Sequence, residues 1–330
     1  MKDVNAQNMG AQRLVVLTSV VLFVGKIIAW QITGSVSVLS DALESVVNVL
    51  SGFFGLYSIY LSSLPRDANH PYGHGKVEFI SAGFEGTLIT LAGGVIIYES
   101  MAHFGNTIHP HGYGAGIWIV GASALINYIV GAIALKKGKT NNSLALTASG
   151  KHLQTDTIST LAILVGLVII SITGWTWLDS VIAIAFSLYI MYSGFAIVRQ
   201  SLAGIMDESD EKLLNELVAF LEENRSPNWV DLHNLRIIKY GAILHMDCHL
   251  TVPWYFNVHE AHNEIDKLQA LLTNRFGERV ELFVHTDGCL DFSCAICDKE
   301  DCTQRKQPFA NKVHWTVKNI SSNLKHRISL

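Results

Sequence analysis

The 330-residue chain is 49% hydrophobic and only 16% charged, with a mean hydropathy of +0.30. That is too apolar for an ordinary water-soluble domain of this length and reads as a membrane protein with a soluble part. A net charge of −4 with no basic block excludes nucleic acid as an expected partner, and no nucleotide loop, Gly-rich phosphate cradle or nucleophile triad suggests an ATP-driven pump or an enzyme.

In chain order, residues 1–13 precede a series of apolar runs near 14–34, 36–62, 78–101, 114–135, 143–172 and 175–198. Each approaches the roughly 20 residues, at ~1.5 Å apiece, needed to cross a bilayer. The first run is too long for a signal-peptide core, lacks a small-residue cleavage pattern and leads straight into the second, so it is retained. After Arg199 the character changes. DESDEKLLNELVAFLEENR is a charged amphipathic helix, and residues 207–290 read helix, strand, strand, helix, strand, near 209–224, 232–239, 242–252, 257–276 and 279–285. Residues 291–330 form a Cys-containing tail whose end, HWTVKNISSNLKHRIS, has no evident place. The expected fold is therefore a polytopic α-helical membrane protein with six transmembrane helices over 14–200, plus an α/β domain of the ferredoxin-like kind.

Lys2 and Arg13, Arg66 and Lys76, Lys136, Lys137 and Lys139, and Arg199 fall in alternate connections, while GSVS, HFGNTIHPHGYG and TGWTW carry no Lys or Arg. The positive-inside rule then puts both termini and the soluble domain in the cytoplasm, with the chain in a plasma (inner) membrane.

The sharpest chemistry is inside the spans. HLQTD in the fifth run places His152 and Asp156 four apart, on one helix face, and SDALESVVN in the second gives Glu44 and Asn48 the same spacing. Ionisable residues in a span are costly and are functional candidates by default. Two such pairs can close a four-ligand shell around a divalent cation; the alternative is polar packing between helices. Asp41, four before Ser45, is an alternate or outer ligand in a shifted register. The connection RDANHPYGHGK holds three further potential ligands, Asp67, His70 and His74. Cys289, Cys294, Cys297 and Cys302 form C-x4-C-x2-C-x4-C, which in a reducing cytoplasm favours thiolate metal binding over disulfides. An iron–sulfur site and unliganded thiols are the alternatives, and Cys248 reads as a small core residue.

With GSVSVLSDALESVVN, NHPYGHGKVE, HLQTD, IMD and HTD in this order, the chain resembles the cation diffusion facilitators over roughly residues 12–290. The resemblance implies a homodimeric exporter of divalent transition metal, zinc foremost, working by proton exchange and alternating access in membrane lipid. It implies a transport site at Glu44, Asn48, His152 and Asp156, and a loop site at Asp67, His70 and His74. It further implies a cytoplasmic cluster at His233, His249, His262, His285 and Asp287, with His245 and His259 left as ordinary surface residues, and a junction pair of Lys76 with Asp207. Many members carry Asp or His where this chain has Glu44 and Asn48, which keeps iron(II), manganese and cobalt open as substrates. A membrane-bound metal sensor and a metal-dependent hydrolase are the rival classes. The sensor needs only the soluble sites, and the hydrolase needs a general base beyond the ligands.

Overall fold

The computed structural model describes residues 2–33, 36–102, 115–173, 177–241, 243–278 and 280–328. The chain divides into two compact units, Met1–Met206 and Asp207–Leu330.

The first unit is built from α1 (Lys2–Thr33), α2 (Val36–Ser62), α3 (Val77–Ala102), α4 (Ala115–Asn141), α5 (Leu144–Thr173) and α6 (Trp177–Ile205). Among the described residues, Val4–Ile28, Ser45–Ser62, Val77–Ala102 and Val181–Ile205 are long and apolar enough to cross a membrane. Parts of α4 and α5 lie outside the residues whose side chains are described.

Glycine sets the closest helix approaches. A methyl group on Gly194 of α6 would stand 2.7 Å from the carbonyl oxygen of Gly86 on α3, and one on Gly150 of α5 would stand 2.5 Å from the Leu135 amide nitrogen on α4. Without a hydrophobic effect between helices in lipid, such backbone proximity is what makes their dispersion contacts count.

The N-terminal segment 1–13 continues into the first span as one helix, since α1 begins at Lys2. Its polar residues find partners within the bundle, which is why helix rather than loop forms there. Gln12 Nε2 donates to Gly52 O and to Ser149 Oγ, both at 3.1 Å, and Asn8 Oδ1 accepts from Asn141 Nδ2 at 2.6 Å. The α4–α5 turn closes on Asn142 in the left-handed region (φ 54°), with Ser143 N–H returning to Gly138 O at 2.9 Å. Buried Glu78, at the start of α3, accepts from Ser143 of that turn and from Ser62 of α2.

The second unit runs α7 (Glu211–Glu223), β1 (Asp231–Tyr240), β2 (Ile243–Val252), α8 (Val258–Phe276) and β3 (Val280–Gly288). The sheet order is β1-β2-β3, with β1 antiparallel and β3 parallel to β2. A parallel pair needs a crossover, and α8 supplies it. Asp210 caps α7, accepting from Leu213 N–H, and Asn257 with Glu260 forms a capping box on α8. Leu217, Leu221, Leu232, Met246, Leu250, Leu268 and Leu272, all nearly inaccessible to solvent, fill the core between helices and sheet.

The Cys-containing tail over 291–330, left without a place by the sequence, packs on this unit, with Trp315 and Ile320 buried in the same core. Arg225 explains the docking. Its guanidinium lies 4.1 Å from the Trp315 ring centroid and donates to the carbonyls of Trp229, Val230 and Val313. A short helix, α9 (Val317–Ile320), capped by Thr316, follows, and His326 then reaches Asp231.

Candidate functional site

In the helical unit, α2 and α5 meet at their polar positions. Asn48 Nδ2 donates to Asp156 Oδ2 at 2.6 Å, and His152 Nε2 lies 3.7 Å from Asp156 Oδ1, one helical turn away. Both α5 residues and Asn48 line a cavity of about 200 Å³ together with Thr155, and its remaining wall is apolar, from Val47, Leu88, Ile89 and Ile190 among others. A chamber with four polar residues in an otherwise greasy lining concentrates its electrostatics on them. The amide that now donates to Asp156 presents its oxygen to a cation by a half-turn about its last side-chain torsion, so Asn48 can either hold the carboxylate or join it in a shell. Glu44 and Asp41 are on α2, but their side chains lie outside the described residues.

One carboxylate escaped the sequence reading. Glu85 on α3 is 4% exposed and sits with Oε1 3.1 Å from His152 Nδ1 and Oε2 accepting from Ser149 Oγ at 3.1 Å. A carboxylate oxygen that accepts from Nδ1 places the imidazole proton there and turns Nε2 toward a metal. Its signal was present: an acidic residue in the apolar run FISAGFEGTLIT is itself a candidate by burial cost.

Between α2 and α3, Asp67, His70 and His74 offer ligand atoms that all lie within 4.8 Å of one another. Asp67 Oδ1 is 3.0 Å from His70 Nδ1 and Oδ2 is 3.4 Å from His74 Nε2. The turn is self-made. Asp67 accepts from the backbone N–H groups of His70 and Asn69, at 2.7 and 2.9 Å, and the His70 amide first among these holds its carboxyl below the usual range.

In the second unit, sheet register decides which histidines meet. His233 pairs with His249 across β1–β2, and His249 with His285 across β2–β3, giving one row. A register shift after His233, with Asn234 at φ 53°, interrupts β1 at that point. His233, His249 and Asp287 place ligand atoms within 4.8 Å of one another. Asp287 Oδ2 lies 3.6 Å from His233 Nε2 and 3.4 Å from His249 Nδ1, while Oδ1 lies 3.5 Å from the more exposed His285 Nε2. Burial depresses the His233 imidazole, against the pull of Asp231 and Asp287, which favours the neutral ring a metal requires. His262 is not brought into this group within one chain: it is an exposed residue of α8, 3.7 Å from Asp266 on its own helix. Asp231 and Lys325 were missed. Asp231 Oδ2 stands 3.6 Å from His233 Nδ1, and Lys325 Nζ stands 3.7 Å from Asp287 Oδ2.

Cys289, Cys294, Cys297 and Cys302 line a single small cavity beside Trp254 and Tyr255, and none of the chain's cysteines is disulfide-bonded. Cys248 is apart in the core, where burial pushes its thiol up to about 12.

Comparison with known proteins adds two family matches: a cation efflux transmembrane domain over residues 13–206, and a cation efflux protein cytoplasmic domain over residues 210–289. An uncharacterized transporter of Synechocystis sp. is 31% identical over 256 residues, 77% of this chain and 83% of the relative. The cation-efflux pump FieF of Pectobacterium atrosepticum is 28% identical, covering 83% of this chain and 93% of its own. A cadmium, cobalt and zinc/H(+)-K(+) antiporter of Bacillus subtilis is 23% identical over 90% of this chain and 97% of its own.

Proposed function

The chain belongs to the cation efflux family, the membrane exporters of divalent metal cations also called cation diffusion facilitators, and from that membership we propose that it carries zinc out of the cytoplasm in exchange for protons. The observation that carries this reading is the meeting of Asn48, His152 and Asp156 at a cavity lined by α2, α3, α5 and α6. Glu44 would complete the shell, with Asp41 as the alternate. Zinc favours four-coordinate sites of imidazole and carboxylate, and both must be deprotonated to bind it. Protons entering from the far side then compete for His152 and Asp156 and release the metal outward, as the bundle alternates between two openings.

The remaining sites take supporting roles. Asp67, His70 and His74 form an auxiliary loop site. His233, His249, His285 and Asp287 bind cytoplasmic metal at the contact of a homodimer. Lys76 and Asp207 pair at the membrane–domain junction. Both termini face the cytoplasm of a plasma membrane, by the distribution of Lys and Arg in the connections.

The amide at Asn48 favours a second reading within the same family, because a hard amide oxygen in place of a softer imidazole nitrogen shifts preference toward iron(II), manganese or cobalt. Purified protein in liposomes, given zinc, iron(II), manganese and cobalt in turn while internal pH is followed, separates these. Zinc flux with counterflowing protons is expected; metal binding without flux of any ion would make the protein a sensor and overturn the proposal.

A further inference from the structure

We propose that Cys289, Cys294, Cys297 and Cys302 hold one zinc ion as a tetrathiolate, a fixed metal separate from the transported one, which fastens the C-terminal tail to the cytoplasmic domain. Three of these four cysteines lie beyond residue 289, where the family match ends.

The backbone brings the four cysteines to the wall of one cavity by a definite route. Cys289 follows β3 directly, and its N–H donates to Val252 O at 2.8 Å, so it is fixed to the end of the sheet. The 3-10 turn Asp291–Ala295 then reverses the chain and presents Cys294, and Cys297 follows with its N–H 3.4 Å from Cys294 O. The loop beyond returns Cys302 to the same cavity, whose volume is about 20 Å³. That volume suits one ion or one water and no organic ligand.

The surroundings are those of a thiolate site. Lys306 N–H points at Cys294 Sγ from 3.4 Å, a donor to sulfur of the kind that steadies a metal-bound thiolate. Arg305 donates to the carbonyls of Cys294, Cys297 and Lys299 at 2.7–3.0 Å, tying the loop and setting a positive charge in the wall of the same cavity. Four thiolates on a divalent ion leave a net charge of about −2, and Arg305 and Lys306 lie where they offset it.

A stability argument points the same way. Between β3 and α9 the only regular structure is the turn Asp291–Ala295, and the apolar residues buried there are Ala295, Ile296, Cys297 and Trp315. Structureless stretches longer than about 12–15 residues are uncommon in compact domains, and small irregular units are usually held by metal or disulfides. In a reducing compartment metal is the available staple, and sulfur ligands in a tetrahedral set select zinc among common divalent ions.

The test uses the full-length protein in detergent, loaded with cobalt(II) in place of zinc. Tetrahedral cobalt on thiolates gives a sulfur-to-metal charge-transfer band that no histidine or carboxylate site in this chain can produce. The band is expected in the wild type and expected to vanish in the Cys294→Ser, Cys297→Ser double variant. Elemental analysis after dialysis against a chelator is expected to find one more zinc per chain in the wild type than in that variant. Absence of the charge-transfer band in the wild type overturns the proposal without reference to any variant, as does acid-labile sulfide in the purified protein, which would mark an iron–sulfur cluster.

Discussion

Replacing Glu85 by alanine should weaken metal binding at the membrane site without removing any ligand. The carboxylate lies 3.1 Å from His152 Nδ1 and accepts from Ser149 in a setting only 4% exposed. A hydrogen bond to a charged group is worth about 1.5–3 kcal/mol, and each ~1.4 kcal/mol is a factor of ten in affinity. The expected loss is therefore about 10- to 100-fold, the range found when outer partners of metal-bound histidines are removed. Glu85→Gln keeps the side chain's size and one accepting oxygen and should lose about tenfold or less. The assay is zinc uptake into proteoliposomes across a range of zinc concentrations. Half-saturation should rise by the stated factor while maximal flux stays within about twofold, because a weakened ground-state shell is filled again at high metal. Half-saturation within about twofold of wild type in Glu85→Ala would refute the positioning role, and a fall in maximal flux alone would mark Glu85 as a packing residue.

Removing either α5 ligand, His152→Ala or Asp156→Ala, should abolish flux while the purified protein keeps its dimeric elution volume; flux near wild type in either would sink the transport site. Asn48→Asp adds a negative charge to the shell and should alter the order of metal preference, measured by competition between zinc and manganese in the same liposomes. The double change His285→Ala, Asp287→Ala should lower flux at limiting zinc and leave metal binding at the membrane site intact, as read from the zinc bound per chain. Burial would raise the Asp210 carboxyl, but the hydrogen bond from Lys239 at 2.5 Å and the capped α7 amides win and hold it below its usual value. That stabilisation is present above the unfolded value of about 3.9 and is lost as pH falls through the depressed one. Asp210→Ala should thus cost about 1 kcal/mol at pH 7, chiefly as a lost cap, with the gap in thermal unfolding from wild type closing below pH ~4.

The αββαβ order of the second unit was readable because each element carries its own punctuation: Asp210 and Asn257 before helices, Gly241 at the hairpin, Gly277 after α8. The HLQTD face was readable because a helix repeat fixes which residues share a side. Glu85 was legible in principle and was passed over, since attention to i, i+4 pairs discounts a carboxylate with no other ionisable side chain one turn away on its own helix. The docking of the tail was beyond such reading. Trp315 and Ile320 are isolated apolar residues in a polar stretch, and nothing local announces that Arg225, some 90 residues earlier, covers the tryptophan ring. Which histidines of the sheet converge came from the family resemblance alone, because it depends on how two strand pairs align and not on any spacing along the chain.

That alignment gives the histidine row the character of a ruler with whole-number markings. His233, His249 and His285 stand abreast because β1, β2 and β3 are locked in one register, and a strand can slip only by whole residues, a single step carrying its side chains to the opposite face. The distances across the row therefore cannot drift by small mutational increments. A lineage retuning this site for another metal has coarse options only: it can exchange one side chain for another at a fixed mark, or rebuild the bulge beside Asn234.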